Sequence, residues 1–394
     1  MRNLRACLQL GVLPLALMSG HAMAANGSFD NWPTKSMLTD SIEGAITGNM
    51  AWDSDRFSGD DRLADESGWR RNEFGATLKK KGVWDAMVYY DFQSDLWLDV
   101  FVRFETKAWF GRDLGKIRVG YIKTPLGLDG LTASRAGSFM ELGLPTQVVF
   151  EGRRTGVEWS YEQPRFLLTA GAYGGKDLQG DNPGQTFAAR GVWTPIKAEG
   201  NVLHLGIAGS RENPEGFTDG RGVYRPPSTR LRARPEAGLT DVRLVDSGTL
   251  TYVDHINRTG LEGLWIHGPV SVQAEALRAN VTRNAGLPEF TAQGEYAYVS
   301  WLLTGESRPY AGGVAANPKP SHDFGAVELV ARWSHLDLDD GPIYGGREHD
   351  LTVGANWYLT QHFKFQANYV HADASRNHVH TTPDAVEVRA QVMF

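Results

Sequence analysis

One cysteine, Cys7, is all that the 394 residues hold. This excludes a disulfide framework and a cysteine-ligated zinc or iron–sulfur centre. An excess of basic charge is missing too. Forty Lys and Arg stand against 46 Asp and Glu, a formal net charge of −6, so the chain as a whole is not a basic nucleic-acid binder. Long hydrophobic runs are absent beyond the N-terminus. None reaches the ~18 consecutive apolar residues of a spanning helix, and mean hydropathy is −0.35. A helical membrane protein is thereby excluded. Glycine is plentiful, at 45 residues, and so are aromatics, with 12 Trp, 13 Tyr and 17 Phe. The length alone suggests two or three domains at about 150 residues each, but all-β barrels run long as one unit.

The first residues read as an export signal. Arg2 and Arg5 are a positive start, residues 8–18 are apolar, and Ala22-Met23-Ala24 is an A-x-A cleavage site. Cleavage after residue 24 removes Cys7 and leaves a cysteine-free chain, expected to be one domain over 25–394. Cys7 precedes the apolar run, so it is not a lipoprotein acceptor.

Beyond that point the pattern is alternation. Val386, Val388, Ala390, Val392 and Phe394 are apolar, with Glu387, Arg389 and Gln391 between them. That is period 2, a strand with one greasy and one wet face. Leu351, Val353, Ala355, Trp357 and Leu359 alternate likewise. A turn at Thr360-Gln361-His362 follows, then Phe363, Phe365, Ala367 and Tyr369. Val327, Leu329, Ala331 and Trp333 repeat the pattern. Such strands are about 9–11 residues long, the length of a tilted strand crossing a bilayer. Aromatics cluster near strand ends (Tyr89-Tyr90, Trp97, Trp265, Trp301, Trp357-Tyr358), as in interfacial girdles. Polar segments at 174–186, 212–227, 309–322 and 337–348 read as long loops between short turns. The expected fold is all-β: a transmembrane antiparallel β-barrel of about 16 strands, a size that leaves an aqueous lumen. A closed sheet is required because lipid cannot satisfy open edges. The competing β-propeller lacks a blade repeat.

Several segments resemble the phosphate-selective porin O and P family of Gram-negative outer membranes. They are Arg70-Arg71 within 68–78, Arg118-Val-Gly-Tyr-Ile-Lys-Thr-Pro-Leu-Gly-Leu-Asp129, Leu131-Thr-Ala-Ser-Arg135, Ser138-Phe-Met-Glu141 and Gly152-Arg153-Arg154-Thr-Gly156. Arg232-Ala-Arg-Pro-Glu236, Leu244-Val-Asp-Ser-Gly248, Trp301-Leu-Leu-Thr-Gly-Glu306, Glu328-Leu-Val-Ala-Arg-Trp-Ser-His-Leu-Asp337 and Asn356-Trp-Tyr-Leu359 follow in order. The resemblance implies an outer-membrane location and a homotrimer of 16-stranded barrels, each with its third extracellular loop folded into the lumen. It also implies that Phe394 is read by the barrel-assembly machinery. The implied cargo is a small inorganic anion such as phosphate or polyphosphate. The competing class is an outer-membrane enzyme or structural barrel, but no bond-making constellation or cofactor site stands out in the residues.

Permeation depends on charge placed along a pore. Arg230, Arg232 and Arg234 alternate, so in an extended chain their guanidiniums share one face about 6.6–6.8 Å apart. Two placements are open: a lumenal row, which the resemblance matches to an arginine ladder, or an exposed basic loop flanked by Pro226-Pro227 and Pro235. Arg70 and Arg71 are adjacent, so both can face the lumen only if a bulge intervenes; otherwise one sits at the rim or snorkels. The stretch from Lys123 to Arg154 is the presumed inward loop. Ser134 and Arg135 stand where the resemblance implies a Ser-Lys anion pair. Leu142-Gly143 stand where phosphate-selective members carry another arginine, which favours anion preference over phosphate selectivity. Arg153 and Arg154 are placed in the lumen or as loop anchors, with Glu141 as an expected partner of one of them. His378 and His380 lack a third ligand for a metal. Ser334 and His335 fall on opposite strand faces and cannot form a catalytic couple.

Overall fold

The computed structural model of the chain describes residues 32–175, 177–178 and 183–394. The expected export signal, with Cys7, lies outside them. Sixteen antiparallel strands form a closed ring. They are β1 (Ile42–Ser58), β2 (Glu66–Lys80), β3 (Trp84–Asp91), β4 (Leu96–Glu105), β5 (Lys116–Lys123), β6 (Arg153–Gln163), β7 (Phe166–Gly174) and β8 (Gly184–Ala198). Then follow β9 (Asn201–Pro214), β10 (Val253–His267), β11 (Val270–Arg283), β12 (Phe290–Leu302), β13 (Ala326–Asp340), β14 (Ile343–Tyr358), β15 (Phe363–Arg376) and β16 (Asp384–Met393). Each pairs with its neighbours in sequence, and β16 closes on β1 from Asn49↔Met393 to Ser58↔Asp384.

Alternation decides which face is which. On β16 the buried inward positions are Glu387, Arg389 and Gln391, while Val386 and Val388 are exposed outward. On β14, Asp350, Thr352 and Asn356 are buried, while Leu351, Val353 and Trp357 are exposed. Polar inside and apolar outside inverts a soluble protein and fits a wet lumen surrounded by lipid. Ser334 lies inward and buried, and its neighbour His335 lies on the outer face, as their adjacency requires.

Two expectations need correction. Strands β3 to β7 run 8–11 residues, but β8 to β15 run 13–16 and β1 reaches 17. A bilayer needs only about 9–11, so the longer strands raise the wall beyond the apolar band. Residues 337–348 are not a loop. Strand β13 runs to Asp340 and β14 starts at Ile343, and Gly341 turns the chain with φ +55°, a conformation that glycine adopts without strain. The 309–322 stretch is irregular as expected. However, it joins β12 to β13 at the end where β16 finishes, among the short turns.

Closure at the C-terminus depends on a missing side chain. Gly48 and Phe394 exchange backbone hydrogen bonds of 2.9 and 3.1 Å. A Cβ on Gly48 would lie 2.5 Å from the Phe394 ring, so any larger residue displaces that ring.

Three connections pack against inward-facing side chains: 124–152, 215–252 and 303–325. Leu126, Leu144 and Val149 of the first, and Leu231, Ala233 and Val245 of the second, join Ile256 on β10, Leu277 on β11, Phe290 on β12 and Leu336 on β13 in one buried apolar cluster. Burying a leucine in this way is worth about 1.5–3 kcal/mol.

Candidate functional site

The connection 124–152 starts at β5 and ends at β6, yet it bonds strands far around the ring. The N–H groups of Leu128 and Asp129, which open a short helix (Leu128–Leu131), donate to the two oxygens of Glu275 on β11 at 2.5 and 2.8 Å. Arg389 of β16 donates to the Met140 carbonyl at 2.9 Å, and Arg332 of β13 to the Glu141 carbonyl at 3.0 Å. Lys123 ends β5, and its Nζ reaches the carbonyls of Gly130 (2.6 Å) and Thr132 (3.0 Å).

Two cavities flank this segment, and Glu141 and Leu142 line both. The larger, about 610 Å³, is lined among others by Arg71, Lys123, Ser134, Arg135 and Arg153. The smaller, about 380 Å³, is lined by Arg70, Arg230, Arg232, Arg234 and Arg243.

The arginine triplet is not on a barrel strand. It lies in the 215–252 connection, where Arg232 and Ala233 pair with Asp246 and Val245. Its alternation holds: Leu231 and Ala233 are buried in the apolar cluster, while the three arginines between and beside them are more exposed and line the smaller cavity. Their charges are not equal. Arg230 forks onto Asp246, with Nε 2.8 Å from Oδ1. Arg232, Arg234 and Arg243 form no ion pair among the described residues. Arg234 instead donates to the Gly238 carbonyl at 2.6 Å, and its own N–H donates to Gln147 Oε1 at 3.0 Å. Burial, then the neighbouring Arg234 and Arg232, press the Arg243 guanidinium below its ordinary value. Arg243 was not legible in the sequence as a site residue. The pairing of Arg232 with Asp246 brings the return arm that carries it beside the triplet.

Arg70 and Arg71 both face inward because the ladder slips between them. Ala51 pairs with Arg71 but Trp52 pairs with Trp69, so Arg70 is the extra residue of a β-bulge. Arg70 forks onto Glu141, Nε–Oε1 2.8 Å and Nη2–Oε2 2.9 Å. Glu141 therefore pairs neither Arg153 nor Arg154, the partners expected. Burial would raise its carboxyl, but Arg70, Arg71 and Arg389 together hold it below the usual carboxylate range. Arg71 reaches Glu73 at 3.2 Å.

Ser134 lies beside Glu73 (Oγ–Oε1 3.3 Å) and Asn49. Arg135 donates to Thr47 Oγ1 at 2.9 Å and to the Phe394 oxygen at 3.4 Å. Arg153 pairs with Asp99 at 2.9 Å. Arg154 leaves the candidate site. It is fully buried, lines neither cavity and bonds Glu151 (2.9 Å), Thr186 (2.8 Å) and the Gly184 carbonyl (3.1 Å). It anchors the end of the inward segment to β8. Removing one partner of a buried ion pair costs about 3–5 kcal/mol. Arg154→Ala is therefore expected to lower the urea midpoint of the micelle-refolded barrel strongly while leaving ion selectivity unchanged.

Among the described residues no three His, Cys, Asp or Glu side chains converge to hold a metal. His380 bonds Asp373.

A family model described as "Phosphate-selective porin O and P" matches residues 45–394. An uncharacterised protein of Caulobacter vibrioides is 28% identical over 289 residues, 69% of this chain and 55% of its own length. Porin O of Pseudomonas aeruginosa is 29% identical over 248 residues, 55% of each chain. The chain thus spans about half the length of these curated relatives. In fold it is similar to in-vitro folded OmpT, an outer membrane protein of Vibrio cholerae. The TM-score is 0.59 at 12% identity, over 91% of this chain and 99% of that one.

Proposed function

This chain belongs to the phosphate-selective porin O and P family, with its place in the outer membrane of Gram-negative bacteria, and from that premise we propose that it is a passive channel preferring anions, phosphate or polyphosphate foremost. One observation carries the preference: Arg232, Arg234 and Arg243 line one cavity and, among the described residues, form no ion pair with a carboxylate. A guanidinium matches phosphate oxygens bidentately, and a row of them lets an anion move from one fork to the next. Arg70 and Arg71 continue the row toward Ser134, Arg135 and Lys123 at the larger cavity. Glu141 and Leu142 of the segment 124–152 line both cavities. The net charge of −6 does not oppose this reading, because selectivity follows the local field and not the total.

A second reading within the same class is an anion porin of relaxed specificity. It rests on Leu142-Gly143 in place of a further arginine, and on the ion pairs Arg230–Asp246 and Arg70–Glu141, which neutralise two of the five arginines of the smaller cavity. Further parts of the proposal are a homotrimer, assembly through Phe394 as the signal read by the barrel-assembly machinery, and the absence of a chemical step.

Reconstituted protein in asymmetric KCl is expected to give a reversal potential of anion sign, with millimolar or lower phosphate blocking the chloride current. Cation selectivity overturns the proposal. A titration with phosphate, pyrophosphate and sulfate separates the two readings: equal block by all three favours relaxed specificity.

A further inference from the structure

The carbonyls of the inward segment are held in series. Arg135 O accepts from Asn317 at 2.9 Å, Ala136 O from Arg308 at 3.3 Å and Gly137 O from Lys364 at 2.7 Å. Ser138 O accepts from Asn356 at 2.8 Å, Met140 O from Arg389 at 2.9 Å and Glu141 O from Arg332 at 3.0 Å. Lys364, Asn356, Arg389 and Arg332 are inward-facing side chains of β13 to β16. Arg308 is fixed to the same wall through Glu328 and Tyr358. Asn317 lies against Met393 of β16, 3.3 Å from its Sδ, so all six donors stand on the β13–β16 wall or are fixed to it, and four of the six are cationic.

A trans peptide is planar, with its N–H opposite its C=O, and no peptide here is cis. Carbonyls drawn to the wall turn the following N–H groups away from it: those of Gly137, Ser138, Phe139, Glu141 and Leu142. The same residues line the larger cavity. The N–H of Ala136 is the exception, since it donates to Ala133 O at 2.7 Å.

We propose that the peptide N–H groups of Gly137, Ser138, Phe139, Glu141 and Leu142 form a backbone anion track along the channel, oriented by the donors of the wall. The ligand class is small anions with oxygen or halide acceptors. The track adds to the arginines in two ways. Aligned peptide dipoles present partial positive charge without a counter-ion, and they need no side-chain ordering when an anion arrives. Lys364, Asn356 and Arg308 are positioning residues: they touch the carbonyls and act on the anion through the peptide.

The inference rests on the anion-channel reading, and its test separates the two. Ser138 and Leu142 are replaced in turn by the matching α-hydroxy acids, which exchange N–H for an ester oxygen and keep the side chain. Phosphate block of the chloride current is then read in planar bilayers. Losing one hydrogen bond to a charged ligand weakens binding about tenfold or more, so each ester is expected to raise the blocking concentration by that factor. Lys364→Met is expected to weaken block at least threefold, and Lys364→Arg to restore it, with heat-modifiable barrel migration unchanged in both. Unchanged block in the esters, or in Lys364→Met, overturns the track while Arg232→Gln still loses block. Cation selectivity of the unaltered protein instead overturns the channel reading itself.

Discussion

Replacing Arg232, Arg234 and Arg243 together by glutamine is expected to weaken phosphate block roughly 100-fold or more, and to bring the KCl reversal potential close to zero. Each hydrogen bond to a charged ligand is worth about 1.5–3 kcal/mol, and about 1.4 kcal/mol is a tenfold change in binding. Three guanidiniums on one cavity share a ligand and do not add fully, so the lower end of the sum is the safer expectation. The apolar side of the segment, Leu231, Ala233 and Val245, is untouched, so the barrel should fold as before. A companion change has the opposite sign. Asp246→Asn removes the carboxylate that neutralises Arg230 and is expected to strengthen block a few-fold. If the triple variant keeps its selectivity, the arginines are surface charge. If Asp246→Asn weakens block, the local-charge argument fails. Single-channel recording with phosphate titration checks both.

Arg332→Met is expected to open the channel. Arg332 holds both inward segments at once. It meets Glu236 Oε2 at 2.9 Å through Nε and 2.5 Å through Nη2, and the Glu141 carbonyl at 3.0 Å through Nη1. Its guanidinium also lies 4.2 Å from the centroid of the Phe139 ring. Glu236 is 1% exposed, so losing the arginine strands a buried carboxylate at a cost of about 3–5 kcal/mol. The cheapest relief is for 235–246 to leave the wall and carry Glu236 into water. Arg234 and Arg243 go with it. The measurable outcome is a larger single-channel conductance with reduced anion selectivity. Adding Glu236→Gln removes the stranded charge and is expected to recover much of the original conductance, because Ser334 and Thr352 still have a partner there. A conductance equal to that of the unaltered protein in Arg332→Met would show that the segments hold without this joint.

How much of this was legible before folding varies by residue. The alternation of Leu231 and Ala233 with the three arginines implied a shared face, and the structure keeps it. Yet the same five residues read equally well as lumen wall or exposed loop, since period 2 reports a two-faced environment and not which sheet supplies it. For Arg70-Arg71 the sequence required a bulge if both were to face inward. The one-residue slip between Ala51 and Trp52 supplies it, but nothing in the local residues says where a ladder slips. Arg154 looked like its neighbour Arg153. Only the packing of Glu151 and Thr186 around it makes it an anchor. Arg243 had no local signal at all, because its role comes from an antiparallel return across the Arg232–Asp246 pair.

What the sequence determined by itself is the class of object. Strict alternation with apolar faces, aromatic strand ends and no long apolar run leave a closed sheet around water, since lipid tolerates no open edge. The tertiary structure decided which charges are free. A guanidinium's use to a passing anion depends on whether a carboxylate lies beside it, and those carboxylates arrive from far along the chain. Glu141 meets Arg70 across 71 positions, and Glu236 meets Arg332 across 96. Such pairings follow from how three connections fill one ring, so they are properties of the packed molecule and not of any segment read alone.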